Sequence, residues 1–408
     1  MFRYVGLLLL VCLQCVCADD SVVSNTELCR RMYAPIANVR YAEYEGVFLV
    51  DTGASRTTIT GPQSLLAMPD KSWKISRSNV QTQIGVKIQH HIHGIPVGAF
   101  NRKPSPTDVF FDEAGKDARS TTWIDGILGV PQFGDGTLRI NLRDSVCEFT
   151  KLDSETAFGT VLKFQSPSRL LLVPTISVHL DSTTKMPVCV DTGSHFFMTF
   201  SKYVTAEILR LGMLQKAGTI NSVLDGRPSR IETFILRKVT IGGFEFRDVL
   251  VLQTEVNTVG RQFIDCFDTT IDFPKREMRL KPLETEWPLR IPPDASGLIL
   301  SFRDTDLLLV VRMEPDSAAV RSGLLEGDRV LLFEGKSPKD TSMRAMRKRL
   351  TEAGTTVKLK ILRDGKELDI DLPLSRSYEY PPKWPELNTD TDDFFKSLQK
   401  EKKPAADR

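Results

Sequence analysis

The chain has 408 residues, enough for two or three domains, and 41% hydrophobic with 26% charged residues marks ordinary globular protein, not a fibrous or disordered one. A formal net charge of +2 gives no electrostatic footing for nucleic acid or for an anionic membrane surface.

The N-terminus, "MFRYVGLLLLVCLQCVCADD", has one arginine, an apolar run from Val5 to Val16, and the small residue Ala18 before two aspartates. This is the pattern of a signal peptide, residues 1–18, cut after Ala18. The run falls short of the roughly 20 apolar residues of a spanning helix, so a retained anchor ranks second. A lipid-modified Cys15 or Cys17 ranks third, because Gln14 and Val16 before them are not small. No later segment is long enough to span a bilayer; the apolar stretch from Leu170 is broken by Pro174. The expectation is an exported protein, periplasmic or extracellular, with no membrane span after signal cleavage. Past the cut, four cysteines remain: Cys29, Cys147, Cys189 and Cys266. Export permits disulfides, but the sequence does not rank the pairings, so structural roles, bridged or buried, are expected.

The first stretch that carries chemistry is "FLVDTGASRTTIT", Phe48 to Thr60, where an apolar strand runs into Asp51-Thr52-Gly53. In the same half, "IGVKIQHHIHGI" from Ile84 places His90, His91 and His93 close together, but no further ligand at a supporting spacing makes a metal site. The half closes with "DGILG" from Asp125 and the strand "LRINL" from Leu138. The same grammar then returns. "VCVDTGSHFFMTF", Val188 to Phe200, carries Asp191-Thr192-Gly193, 140 residues after the first set. Val259-Gly260 answers Leu128-Gly129, and "TTIDF" from Thr269 answers "LRINL", both at an offset of 131. Between these repeats, "LLLVPTISVHL" and "KVTIGGFEFRDVLVLQ" read as strands, with "IGGFEF" a hairpin signal, and Ser201 to Leu214 reads as a helix N-capped by Ser201. Two patterns repeated in register indicate duplication: two similar β lobes related by a pseudo-twofold axis.

An apolar strand ending in Asp-Thr-Gly delivers a carboxylate to a lobe edge. Glycine lets the chain turn tightly and leaves space above the acid. Two such loops meeting on a twofold axis would set Asp51 against Asp191. Like charges that close cannot both ionise, so the pair would share one proton. It could then take a proton from a water while protonating a carbonyl oxygen.

"FLVDTGAS", "DGILG" and "VCVDTGS" resemble the signatures of the aspartic proteases, over roughly Cys29 to Lys281. The resemblance implies a mainly β fold, a bilobed double β-barrel with lobes at 25–152 and 160–283. It implies an endopeptidase whose nucleophile is water, acting on protein or peptide substrates without metal or organic cofactor. Asp51 and Asp191 would be the catalytic pair, with Thr52, Gly53, Thr192 and Gly193 supporting their loops. The short lobes and Ala54 look more like the compact retropepsin-like branch, here fused into one chain, which makes a homodimer unnecessary. Some features depart from the pattern. No tyrosine occurs between Tyr44 and Tyr203 to serve as a flap tyrosine, so a flap is expected around the stretch from Ile84 with no residue assigned. "TVG" is worn beside "ILG", and His195 and Phe196 closely follow the second motif. Ala54 stands where many acid-active members carry a hydroxyl, so one hydrogen bond to ionised Asp51 is lost and a less acidic optimum is expected. The rival reading is a non-catalytic peptide-binding scaffold on the same fold, against which both acids and both Thr-Gly pairs stand intact.

Residues 284–295 are a Pro-rich linker. Beyond them, "SGLILSF", "SGLLEGDRVL", the helix "TSMRAMRKRLTEAG" and a hairpin at Asp364-Gly365 resemble a PDZ domain over 296–374. The resemblance implies β-augmentation by an extended C-terminal peptide, its carboxylate held by the loop at Gly297, Leu298 and Ile299. Met343, Met346 and Leu350 share one helix face, either lining the side-chain pocket or packing on the core. Residues 375–408 read as a disordered tail, within which "DDFFKSLQK" could form one short helix.

Overall fold

The computed structural model describes residues 29–31, 33–41, 44–59, 74–82, 85–99, 105–111, 124–150, 159–166, 173–182, 184–224, 227–286, 289–304, 307–376, 380 and 382–384. The expected signal peptide and the stretch from Asp392 lie outside them, as do the side chains of His90, His91 and His93. The protein is mainly β, with a five-stranded domain at its C-terminal end.

Ile36–Tyr41 alternates buried and exposed residues over most of its length and so presents one face to a core. The strand pairings of the first half close on themselves. Ile36–Tyr41 runs antiparallel to Tyr44–Asp51, which lies parallel to Gly126–Gly129. That strand pairs antiparallel with Thr57–Ile59, which lies parallel to Ser105–Phe111. Gly85–Ala99 completes the ring, antiparallel to Ser105–Phe111 on one side and to Ile36–Tyr41 on the other.

The second half repeats each step with the same strand directions. Thr175–His179 pairs with Lys185–Val190, that with Thr258–Val259, that with Met198–Ser201, and that with Phe244–Thr254. Arg227–Ile241 closes the ring back to Thr175–His179 through His179 and Thr240. Each half also extends a long hairpin from its ring, Lys74–Thr82 with Gly85–Ala99 in the first and Leu214–Leu224 with Arg227–Ile241 in the second. The first of these includes the stretch in which a flap is expected.

Local chemistry explains the turns. Gly242 and Gly243, at φ 61° and 85°, join Ile241 to Phe244, since a two-residue turn matching strand twist needs both centres left-handed. The helix Lys202–Arg210 begins where the Ser201 hydroxyl accepts the Val204 N–H. It ends sooner than the sequence suggests, because Gly212 turns left-handed at φ 74° and Leu214 already starts a strand.

The halves meet in a shared five-stranded sheet whose central pair is Thr137–Asn141 against Phe267–Asp272. Arg139 faces Thr270, its equivalent at the 131-residue offset, while Leu138 faces Ile271 and Ile140 faces Thr269. A twofold axis therefore passes through the Arg139–Thr270 pair, and the contact is isologous.

Two expectations are corrected here. The linker is not free: Leu289–Arg290 adds to the second half as a strand parallel to Phe246 and Arg247, and Leu289 packs on the hydrophobic core. Nor does the tail leave the protein at Ser375. The Trp384 indole N–H donates to buried Asp248 at 2.8 Å, and Arg237 lies over the same ring. All four described cysteines are free thiols, three of them buried, so burial and not bridging is their structural role.

The C-terminal sheet runs in chain order from the edge strand Leu298–Asp304 to Lys366–Pro373. Asp364 and Gly365, at φ 51° and 77°, turn its last hairpin. The helix Met343–Leu350, N-capped by Ser342, packs against this sheet.

Candidate active site

Asp51 ends the strand Tyr44–Asp51, and Asp191 follows Lys185–Val190 directly. Burial of the preceding valines, Val50 and Val190 at 0% exposure, fixes where each strand must stop. The structure brings the two loops face to face. The Thr52 hydroxyl donates to the Val190 carbonyl at 2.6 Å, and the Thr192 hydroxyl to the Val50 carbonyl at 2.7 Å. Each hydroxyl also accepts the other threonine's amide N–H, at 3.0 and 3.2 Å. Both threonines are fully buried, so these four bonds lie out of water.

The carboxylates abut across this clasp. Asp191 hydrogen-bonds Asp51, whose other partners include the Gly53 amide at 2.7 Å. The Ser194 N–H donates to Asp191 at 2.9 Å. Burial, and then the neighbouring Asp191 charge, hold the Asp51 carboxyl well above the ordinary carboxylate range. The glycines are needed for space. A Cβ on Gly53 would lie 2.6 Å from the Asp191 carboxyl carbon, and one on Gly193 would lie 2.4 Å from an Asp51 oxygen.

Several residues at this site were not singled out by the sequence. Arg261 starts the helix Arg261–Ile264 where the first half has buried Val130. Its amide donates to the Ser194 carbonyl at 2.8 Å, and its guanidinium to the Tyr33 carbonyl at 3.0 Å. A cation in a slot that the repeat makes apolar is the signal that could have revealed it. His195 stacks on Phe196 with centroids 3.8 Å apart, and burial together with the Arg347 and Arg261 charges keeps its ring neutral. Tyr33, Asp265, Arg344 and Arg347 complete the surroundings and carry no local sequence signature. Among the described residues, no group of three or more His, Cys, Asp or Glu side chains could hold a metal ion.

In the C-terminal domain, the loop expected to hold a carboxylate is already engaged. The Ser296 and Gly297 amides donate to one oxygen of Asp294 at 2.7 and 2.8 Å, and the Ser296 hydroxyl donates to the same oxygen. The Leu298 amide donates to the Ser296 hydroxyl at 3.0 Å. Gly297 adopts φ 64°, and Ile299 is paired with Arg312. Met343, Met346 and Leu350 are 2%, 0% and 2% exposed and belong to the hydrophobic core. Of the two roles open to them, the structure gives core packing, because the helix turns that face onto the sheet.

Residues 297–374 match the PDZ domain family. This part of the chain is a PDZ domain, a peptide- and protein-recognition module, and Leu298–Asp304 is an edge strand of its sheet. No curated protein matches the chain. No helix among the described residues is long and apolar enough to cross a membrane.

Proposed function

We propose that the chain is an exported aspartic-type endopeptidase of the bilobed double-barrel kind, with its PDZ domain recognising protein substrates or a peptide ligand. The observation that carries the reading is the reciprocal clasp of Thr52 and Thr192 behind abutting Asp51 and Asp191. Such a clasp fixes the two loops against each other, so the carboxyl groups they carry are held in contact. In this reading the pair holds one proton. The ionised carboxylate takes a proton from a water, which attacks the scissile carbonyl, while the protonated one donates to the carbonyl oxygen. The tetrahedral intermediate then collapses: the carbon–nitrogen bond breaks as the pair protonates the leaving nitrogen, and the pair takes back a proton from a gem-diol hydroxyl as the carbonyl re-forms. The protons belong to the dyad, not to either residue. Neutral His195 and the Phe196 ring follow the second loop directly, with Phe196 packed on the Ile231–Leu252 cluster. Residues 1–18 direct export.

The test is digestion of an unfolded protein by the chain lacking residues 1–18, from about pH 3 to about pH 8, beside Asp51→Asn and Asp191→Asn twins. Cleavage lost in both twins supports the reading. Cleavage that persists in either, or folded wild type that cleaves nothing, overturns it in favour of a peptide-binding scaffold.

A further inference from the structure

The PDZ helix does not stand apart from the candidate active site. Its Met343, Met346 and Leu350 face inward, which turns Arg344 and Arg347, one helical turn apart, onto the other two segments of the chain. The Arg344 guanidinium meets both oxygens of Asp265 at 3.2 Å. Arg347 lies over the Tyr33 ring, 5.7 Å from its centroid. Tyr33 itself hydrogen-bonds Asp265, so the two arginines, the tyrosine and the aspartate form one cluster.

From Asp265 the contacts lead inward without a break. Asp265 caps the helix Arg261–Ile264, its amide donating to the Arg261 carbonyl at 2.8 Å. The Arg261 amide donates to Ser194, and the Ser194 amide donates to the Asp191 carboxylate. Tyr33 closes a second route, since its carbonyl accepts the Arg261 guanidinium. Helix, cap and loop are joined by direct hydrogen bonds from Asp265 to Asp191, so the cluster and the Asp191 loop are coupled through contacts.

We propose that the PDZ helix is part of the active-site scaffold, with Arg344 and Arg347 as positioning residues that hold the Asp191 loop in register with Asp51. The proposal rests on the proteolytic reading for its kinetic consequences but not for its geometry. It also gives the domain a role beyond recognition: a peptide that moves the PDZ helix would change turnover. The electrostatics agree, because burial, and then the Arg347 and Arg261 charges, hold the His195 ring well below its ordinary pKa and keep a further cation from forming beside Arg261. The charged and titratable groups around the Asp191 loop include Asp51, Cys189, His195 and Arg261, with Tyr33, Asp265, Arg344 and Arg347 behind them, Arg143 acting on Asp265 and Asp294 on Arg347.

The experiment uses full chains lacking only residues 1–18. Arg344→Ala and Arg347→Ala are expected to lower kcat about 10- to 100-fold with KM little changed, because loss of alignment acts on the chemical step. They should also move the apparent pKa of the acid limb. Arg344→Lys should recover most of the Arg344→Ala loss, since it restores the charge facing Asp265. Variants that fold, by circular dichroism, yet keep the wild-type kcat and pH profile overturn the proposal. If the wild type cleaves nothing, the proteolytic reading fails by itself. Carboxyl carbon NMR of Asp191 then decides the positioning role: a titration altered in Arg344→Ala supports it, and an identical one overturns it.

Discussion

Thr52 and Thr192 each give a hydroxyl proton to the opposite half and each receive the other's amide N–H. The two halves are thus tied at the one place where their carboxylates meet. Thr192→Val keeps the shape but removes two of these bonds and leaves the Val50 carbonyl and the Thr52 amide buried without them. Each such loss costs about 1–3 kcal/mol, so a total of about 2–6 kcal/mol is expected in urea denaturation, with activity largely lost. Thr192→Ser, which keeps the hydroxyl, should stay within about 1 kcal/mol of wild type.

Gly193→Ala tests the space beside Asp51. The added carbon would sit 2.4 Å from an Asp51 oxygen, closer than such contacts allow, so the carboxyl must move. Activity should fall by about 100-fold or more, since small misplacements of reacting groups carry that cost. The measurement is kcat on a peptide substrate, with thermal unfolding as the check that the fold persists.

Asp51→Asn should make the protein more stable at neutral pH. Folded Asp51 keeps its proton to a higher pH than the unfolded side chain does, because burial and the Asp191 charge oppose its ionisation. The folded state therefore binds more protons than the unfolded state above about pH 4, and its stability falls as pH rises through the folded pKa. Asparagine removes that dependence. The gain should be near zero below about pH 4 and grow as pH rises toward the folded pKa. Melting curves of wild type and variant across this range give the answer; a gain equal at all pH values would count against a shared proton.

Asp294 bears on peptide recognition. Its carboxylate takes the Ser296 and Gly297 amides, and Gly297 opens the loop expected to hold a peptide's terminal carboxylate. A tethered competitor acts at high effective concentration. Asp294→Ala should therefore raise affinity for a pool of random peptides with free C-termini by about tenfold, and leave binding of the same pool amidated unchanged. Equal affinity for both pools in the variant would show that the loop does not capture carboxylates.

Much of this protein is determined locally and was legible in the sequence. The Asp-Thr-Gly strand ends, the repeat offset of 131 and the hairpins at Gly242-Gly243 and Asp364-Gly365 follow from dihedral preference and apolar periodicity, which act over a few residues. The PDZ domain, expected at 296–374 and matched at 297–374, announces itself in the same way. The tertiary structure alone decided what these pieces do to one another. It placed Asp51 against Asp191 and set Arg139 on the twofold axis. It turned the linker into a strand, returned Trp384 to Asp248, and packed Met346 inward so that Arg344 and Arg347 meet Asp265 and Tyr33. Tyr33 and Arg261 meet across most of the chain's length, and Arg344 reaches Asp265 from a different domain. Such bonds depend on distance in space and on burial from water, and neither is encoded in the neighbours of any one residue.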